Sequence, residues 1–262
     1  MLRTRLKTAA ILLPAVLAII LFAPPAAFTF FISIVTAWGL YESGAMVKPT
    51  ASQWFGIAII GGGFSPWLLL RGAAAPPLLP LVAILPAMTI LLAVGIQGAE
   101  PTRRARDWLY CDPLWVAVLF PYFALLRNGQ NGIAVLILMV LLVVASDSGA
   151  YFAGRSLGRI KLVPKVSPNK TVEGAIGGLV ACVAVGLLLR KALIPDLAPR
   201  RMVALALISG GLAQIGDLVN SAFKRIAGVK DSGWIFPGHG GLLDRSCSLV
   251  FPVTFAYYYL RQ

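Results

Sequence analysis

A chain of 262 residues that is 58% hydrophobic and only 13% charged, with a mean hydropathy of +0.83, has too little polar surface for a water-soluble protein of this length. The net charge of +13 comes without a basic tail, an aromatic-interleaved basic stripe or a nucleic-acid motif, so cytoplasmic loops and phosphate contacts are expected and nucleic acid is not. Three scattered cysteines, Cys111, Cys182 and Cys247, form neither a disulfide framework nor a zinc site.

Apolar residues recur in runs long enough to cross a bilayer, which predicts an all-α, polytopic integral membrane protein. The first run, "MLRTRLKTAAILLPAVLAIILF", starts like a signal peptide but shows no clear small-residue cleavage site before Pro24 and Pro25. It reads as a retained helix whose Arg3, Arg5 and Lys7 stay in the cytoplasm. Further spans are predicted near residues 27–46, 54–71, 77–97, 113–126, 131–146, 173–194, 202–223 and 244–260, about eight or nine helices in all. "GGGFSPW" and the Pro76 to Pro86 region are places for broken or short helices. Residues 1–130 read as N-terminal membrane helices with few acids, namely Glu42, Glu100, Asp107 and Asp112, and residues 131–262 as a C-terminal membrane domain that carries a polar site.

Ionisable groups beside lipid are costly and usually line a protein interior or an aqueous cavity with a task, which directs attention to three stretches. In "SDSGAYFAGRSLGRIKLVPKVSPNKTVEG", Asp147 ends a span, with Tyr151 and Gly154 on its face, and a basic loop follows. "SPNKT" then reads as a helix start, Ser167 capping and Pro168 in the first turn, with Lys170 placed for a phosphate; a plain positive-inside loop explains the same charges. In "GDLVNSAFKRIAGVKD", Asp217, Asn220, Ser221 and Lys224 fall at i, i+3, i+4 and i+7, one polar stripe on an apolar helix, followed by Lys230 and Asp231. That stripe is either a site or a buried structural ion pair. In "PGHGGLLDRSCSLV", glycine backbone can approach a ligand closely, and a helix beginning near Leu242 aims its amide groups at the same place. Asp244 in its first turn suits a hard cation and Arg245 a phosphate, while His239, the chain's single histidine, reads equally as a structural residue and as a site residue. No Walker loop, GxGxxG turn or nucleophile elbow is present. Acids for metal, bases for phosphate and a membrane setting together point to chemistry on a phosphorylated lipid.

The stretch "SAFKRIAGVKDSGWIFPGHGGLLDRSC" resembles the C-terminal signature of the phosphatidate cytidylyltransferases, or CDP-diacylglycerol synthases, through Ser221, Lys224, Arg225, Lys230, Asp231, Gly233, Pro237, His239, Gly240, Gly241, Asp244 and Arg245 in matching spacing. With the upstream segment, the resemblance covers about residues 140–260. It implies that the phosphate of phosphatidic acid attacks the α-phosphorus of CTP, giving CDP-diacylglycerol and pyrophosphate with Mg²⁺, alone or with a second cation. It further implies Asp217 and Asp244 as main metal ligands with Asp147 and Asp231 as further ones, and Asp217, Lys224, Asp244 and Arg245 as the catalytic set. Lys170, Ser221, Arg225, Lys230, His239, Gly240 and Gly241 would bind substrate. A homodimer in the inner membrane with a cytoplasm-facing site is the expected setting.

One position departs from the pattern: Cys247 stands where the family carries a second aspartate, and cysteine is a poor ligand for Mg²⁺. This leaves open a weak or silent homologue, or a related CTP-dependent transferase acting on another lipid phosphate. A transporter of anionic lipid is the remaining alternative, though no repeat or paired broken helices point to it.

Overall fold

The computed structural model describes residues 14–47, 68–69, 79–99, 111–236 and 240–261. The basic start of the chain, nearly all of the expected 54–71 span, and Pro237, Gly238 and His239 lie outside the described residues. A helical segment over residues 14–22 leads into α1 (Pro25–Val47), followed by α2 (Leu79–Gln97), α3 (Cys111–Leu119), α4 (Pro121–Arg127) and α5 (Gly132–Leu157). A short hairpin, β1 (Lys161–Val163) and β2 (Ser167–Thr171), precedes α6 (Val172–Leu193), α7 (Pro199–Ala227) and α8 (Leu243–Tyr259). Among the described residues, α1, α2, α5, α6 and α7 are long and apolar enough to cross a membrane.

Most boundaries match the apolar runs, and the differences have local causes. The expected span 113–126 is two short helices, because Pro121 at the start of α4 brings no N–H and its ring crowds the carbonyl one turn back. The expected helix start at Ser167 and Pro168 is instead β2, paired antiparallel with β1 in the register Lys161↔Thr171 and Val163↔Ser167. The cap lies four residues later, where extended Thr171 (φ −123°, ψ 156°) accepts a hydrogen bond from Gly174 N on Oγ1 at 3.2 Å. Glu173, in the first turn of α6, accepts from Arg159 N and Ile160 N at 3.0 and 3.2 Å and so ties the basic loop to the helix. Asp147 does not end its helix: α5 runs on to Leu157, keeping Asp147, Tyr151 and Gly154 on continuous helix.

Between apolar helices in lipid, close packing replaces the hydrophobic drive, and small residues permit it. α5 and α6 meet this way: a Cβ on Gly149 would strike Gly177 O and Ala181, and one on Gly177 would strike Ala153. Two apolar clusters fill the interior. One gathers Trp115, Phe120, Phe223 and Phe251, with Trp115 and Phe251 stacked at 6.2 Å; the other gathers Tyr122, Leu138, Met139 and Met202. Both draw residues from either side of position 130, so the N- and C-terminal parts share their core. Away from the polar site, buried Arg127 donates to Ile20 O at 3.2 Å and to Ala23 O, fastening the 14–22 segment.

At 29 residues, α7 is about 44 Å long, well beyond a hydrocarbon layer of about 30 Å, so its ends reach past the apolar zone. Its C-terminal turn carries Lys224 and Arg225, the sign its dipole favours, and stops at Gly228, whose φ of 74° needs glycine and whose N–H caps the Arg225 and Lys224 carbonyls. α1, α5 and α7 bring their C-terminal halves to this end of the bundle, and α6 and α8 begin there.

Candidate active site

Two lysine–aspartate pairs mark the site. Lys170 on β2 lies 2.7 Å from Asp217 on α7, and Lys224, two turns further along α7, lies 2.6 Å from Asp244 in the first turn of α8. The stripe read from the sequence is real and its members divide by partner: Asp217 faces Lys170, while Asn220 and Lys224 both donate to Asp244 Oδ1, at 3.3 and 2.6 Å. The two pairs differ in exposure. Lys170 and Asp217 keep 27% and 42% of their side chains exposed, whereas Lys224 and Asp244 keep 15% and 6%. An ion pair as open as the first adds at most about 1 kcal/mol to stability, so its groups are available to a ligand; the second is sequestered.

A cavity of about 590 Å³ opens beside the exposed pair, lined by Asp147, Tyr151, Asn169, Lys170, Gln214 and Asp217 among others. Its size is that of a small-molecule site. Asp147 is within electrostatic reach of Asp217, Lys170 and Arg245, so the carboxylate expected from the first stretch and the one expected from the second do converge.

Asp244 is surrounded by donors. Besides Lys224 and Asn220 it accepts from Ser232 N and Gly241 N at 2.8 and 3.0 Å, and Ser232 Oγ lies 3.0 Å from Oδ2. The glycines of the "HGG" stretch serve this contact: Gly240 takes φ +81°, and a Cβ on it would lie 2.6 Å from Asp244 Oδ2. Their close approach is therefore to the protein's own carboxylates.

Sequence reasoning gave no role to Glu42. It sits on α1, is 2% exposed, and accepts from Trp38 Nε1 at 3.0 Å, from Leu242 N at 2.9 Å and from Leu243 N at 3.1 Å. Ser232 Oγ lies 3.2 Å from its Oε2, so the single hydroxyl proton is shared in turn between Glu42 and Asp244. The amide groups at the start of α8, expected to face a ligand, are thus met by an internal anion, which satisfies orphan donors and suits the helix dipole. The signal was available: one acid inside an apolar run is costly unless it has partners.

The remaining expected residues are spread around this core. Ser221 is half-buried on α7, Arg225 is exposed and donates from Nε to Val166 O at 3.1 Å, and Lys230 and Asp231 are exposed on the following loop. Asp231 lies beside Gly240 and is not among the residues that line the cavity. Arg245 is exposed on α8 and lines a second, apolar groove. Cys247 is 1% exposed, one turn after Asp244 and close to α7 at Gly216, within electrostatic reach of all four members of the two pairs.

Among the described residues no three His, Cys, Asp or Glu side chains cluster as a preformed metal site. The acids that face the cavity are nevertheless hard oxygen donors, Asp147 and Asp217, and one turn along α7 from Asp217 the buried Asn220 Oδ1 has no hydrogen-bond donor among the described residues. One or two carboxylates completed by substrate phosphates and water is the coordination Mg²⁺ prefers, so these residues fit it. Asp244, with its donors, would first have to release Lys224.

The model of the cytidylyltransferase family matches residues 3–262. The chain belongs to that family. It is 32% identical to a phosphatidate cytidylyltransferase of Haemophilus influenzae, over 99% of this chain and 98% of the relative. It is 40% identical to a protein of the same name from Bacillus subtilis over 56% of this chain, an alignment that spans 55% of the relative, and 36% identical to one from Brucella suis over 73% and 70%.

Proposed function

We propose that this membrane protein transfers a cytidylyl group from CTP to phosphatidic acid, releasing pyrophosphate and leaving CDP-diacylglycerol in the bilayer. The observation that carries the reading is the pairing Lys170–Asp217 beside Asp147 at the end of an apolar bundle, in a chain that aligns end to end with a phosphatidate cytidylyltransferase.

In this reading an oxygen of the lipid phosphate forms a bond to the α-phosphorus of CTP while the bond from that phosphorus to the β-phosphate oxygen breaks, and pyrophosphate takes the electron pair. The lipid phosphate is already an anion at neutral pH, so the protein has no need of a strong base. Its work is placement and charge neutralisation. Lys170 exchanges its contact with Asp217 for the triphosphate, and Arg225, Lys230 and Arg245 add positive charge at the rim. The sequestered Lys224–Asp244 pair holds the start of α8 in register with α7. Mg²⁺, held by Asp147 and Asp217 with the Asn220 oxygen, would neutralise triphosphate charge when bound. Asp244 and Asp231 are the further candidates for ligands, and Ser221, His239, Gly240 and Gly241 for substrate contacts.

CTP is a cytosolic metabolite, so the site end of the bundle faces the cytoplasm of the inner membrane, in keeping with the basic residues gathered there. Substrate competition tests the reading: purified protein in detergent, given labelled CTP with phosphatidic acid and a polyprenyl phosphate together, is expected to label the first. Label confined to the polyprenyl product would replace phosphatidic acid as the substrate.

A further inference from the structure

Arg245 stands between two cavities of opposite character. On one side it is within electrostatic reach of Asp147 in the polar cavity. On the other it contributes the single charge, among the described residues, to a groove of about 420 Å³ whose walls include Phe31, Trp38, Val140, Phe236 and Leu249. The groove starts at the site end, at Phe236, Leu242 and Arg245, and runs back along α1 from Trp38 to Phe28, about 15 Å of helix, to Ile20.

A ligand that occupies both spaces must be an amphiphile with its anion at the boundary. A helix from another protein laid in the groove would cover its apolar walls but leave the polar cavity beyond Arg245 unfilled. A phospholipid matches both halves. Resting on the lipid-phosphate reading above, we propose that the groove seats one acyl chain of the phosphatidic acid substrate, with its phosphate held at Arg245 and turned toward the polar cavity. A chain that leaves the bilayer for this groove exchanges one apolar surrounding for another, so the groove selects by shape and by registering the headgroup.

The test has two arms. In the first, the purified full chain in mixed micelles is photolabelled with phosphatidic acid carrying a diazirine in mid-chain, and separately with phosphatidylcholine carrying the same chain. Peptides of α1, α5 and α8 around Val35, Val140 and Leu249 are expected to be labelled by phosphatidic acid several-fold more than by phosphatidylcholine. Equal labelling by the two lipids, or none in these helices, would overturn the proposal. In the second arm, Leu249→Trp fills the groove and is expected to raise KM for a long-chain phosphatidic acid about tenfold while leaving KM for the dihexanoyl form within twofold. Parallel changes for both chain lengths would contradict it, and Val140→Trp repeats the measurement should the first variant fold poorly. Selective photolabelling in a protein that turns over no CTP would overturn the transferase reading and leave the groove standing; turnover without selective labelling would do the reverse.

Discussion

Replacing Glu42 by glutamine changes one oxygen for an NH₂ at nearly constant shape, which isolates what its negative charge does for α8. Oε1 receives Trp38 Nε1 and Leu242 N, neither of which can accept, so the amide oxygen must stay there. The NH₂ then occupies the place of Oε2, where the Ser232 hydroxyl can turn to accept but Leu243 N–H cannot. One buried backbone donor loses its partner, at about 1–3 kcal/mol, and the helix start loses an anion worth about 0.3–2 kcal/mol. The sum is about 1–5 kcal/mol, which for a chain of this size lowers the unfolding temperature by roughly 3–20 °C. Thermal unfolding of Glu42→Gln in detergent measures this. CTP turnover should fall as well, because Ser232 and Gly241, which hold Asp244, are joined to the same carboxylate network. An unfolding temperature within about 2 °C of the parent protein would refute the assignment of Glu42 as the cap of α8.

Other substitutions separate the parts of the site. Asp217→Asn is expected to lower turnover by at least about a hundredfold with little change in unfolding temperature, since its ion pair is open to solvent; a stability loss as large as the activity loss would contradict that assignment. Lys224→Met leaves Asp244 without its nearest counter-charge and should cost about 3–5 kcal/mol, read as a large fall in unfolding temperature. Thr171→Ala removes the cap of α6 and is expected to cost about 1 kcal/mol, with Thr171→Ser restoring it in the same melts. Cys247→Asp places a carboxylate within reach of Lys170 and Lys224 and is expected to raise Mg²⁺-dependent turnover; unchanged activity would show that position 247 is no ligand.

The spans α6, α7 and α8 were legible because each carries a long apolar stretch, in α7 closed by turn chemistry at Gly228. The polar stripe was legible for the same reason, since Asp217, Asn220 and Lys224 recur at helical spacing against an apolar background. Partners were not. Signs of charge along a chain do not say that Lys170 meets Asp217 while Lys224 meets Asp244, because those distances are set by how β2, α7 and α8 pack. "SPNKT" misled because serine followed by proline satisfies the local rule for a helix start, while pairing with Lys161–Val163 satisfies the backbone better and leaves Thr171 to cap. For Glu42 a lone acid in an apolar run signalled a need for partners, but apart from Trp38 one turn back those partners lie 190 and more residues away, and no local pattern names them.

The most direct test of the central reading uses CTP labelled at the α-phosphate, phosphatidic acid and the purified chain in detergent, with Mg²⁺ and then with chelator. The account predicts label in a lipid that co-migrates with CDP-diacylglycerol, one pyrophosphate released per lipid labelled, and loss of both when Mg²⁺ is removed. CTP that binds but never yields labelled lipid, at any Mg²⁺ concentration, would contradict it and mark the chain as a silent member of its family.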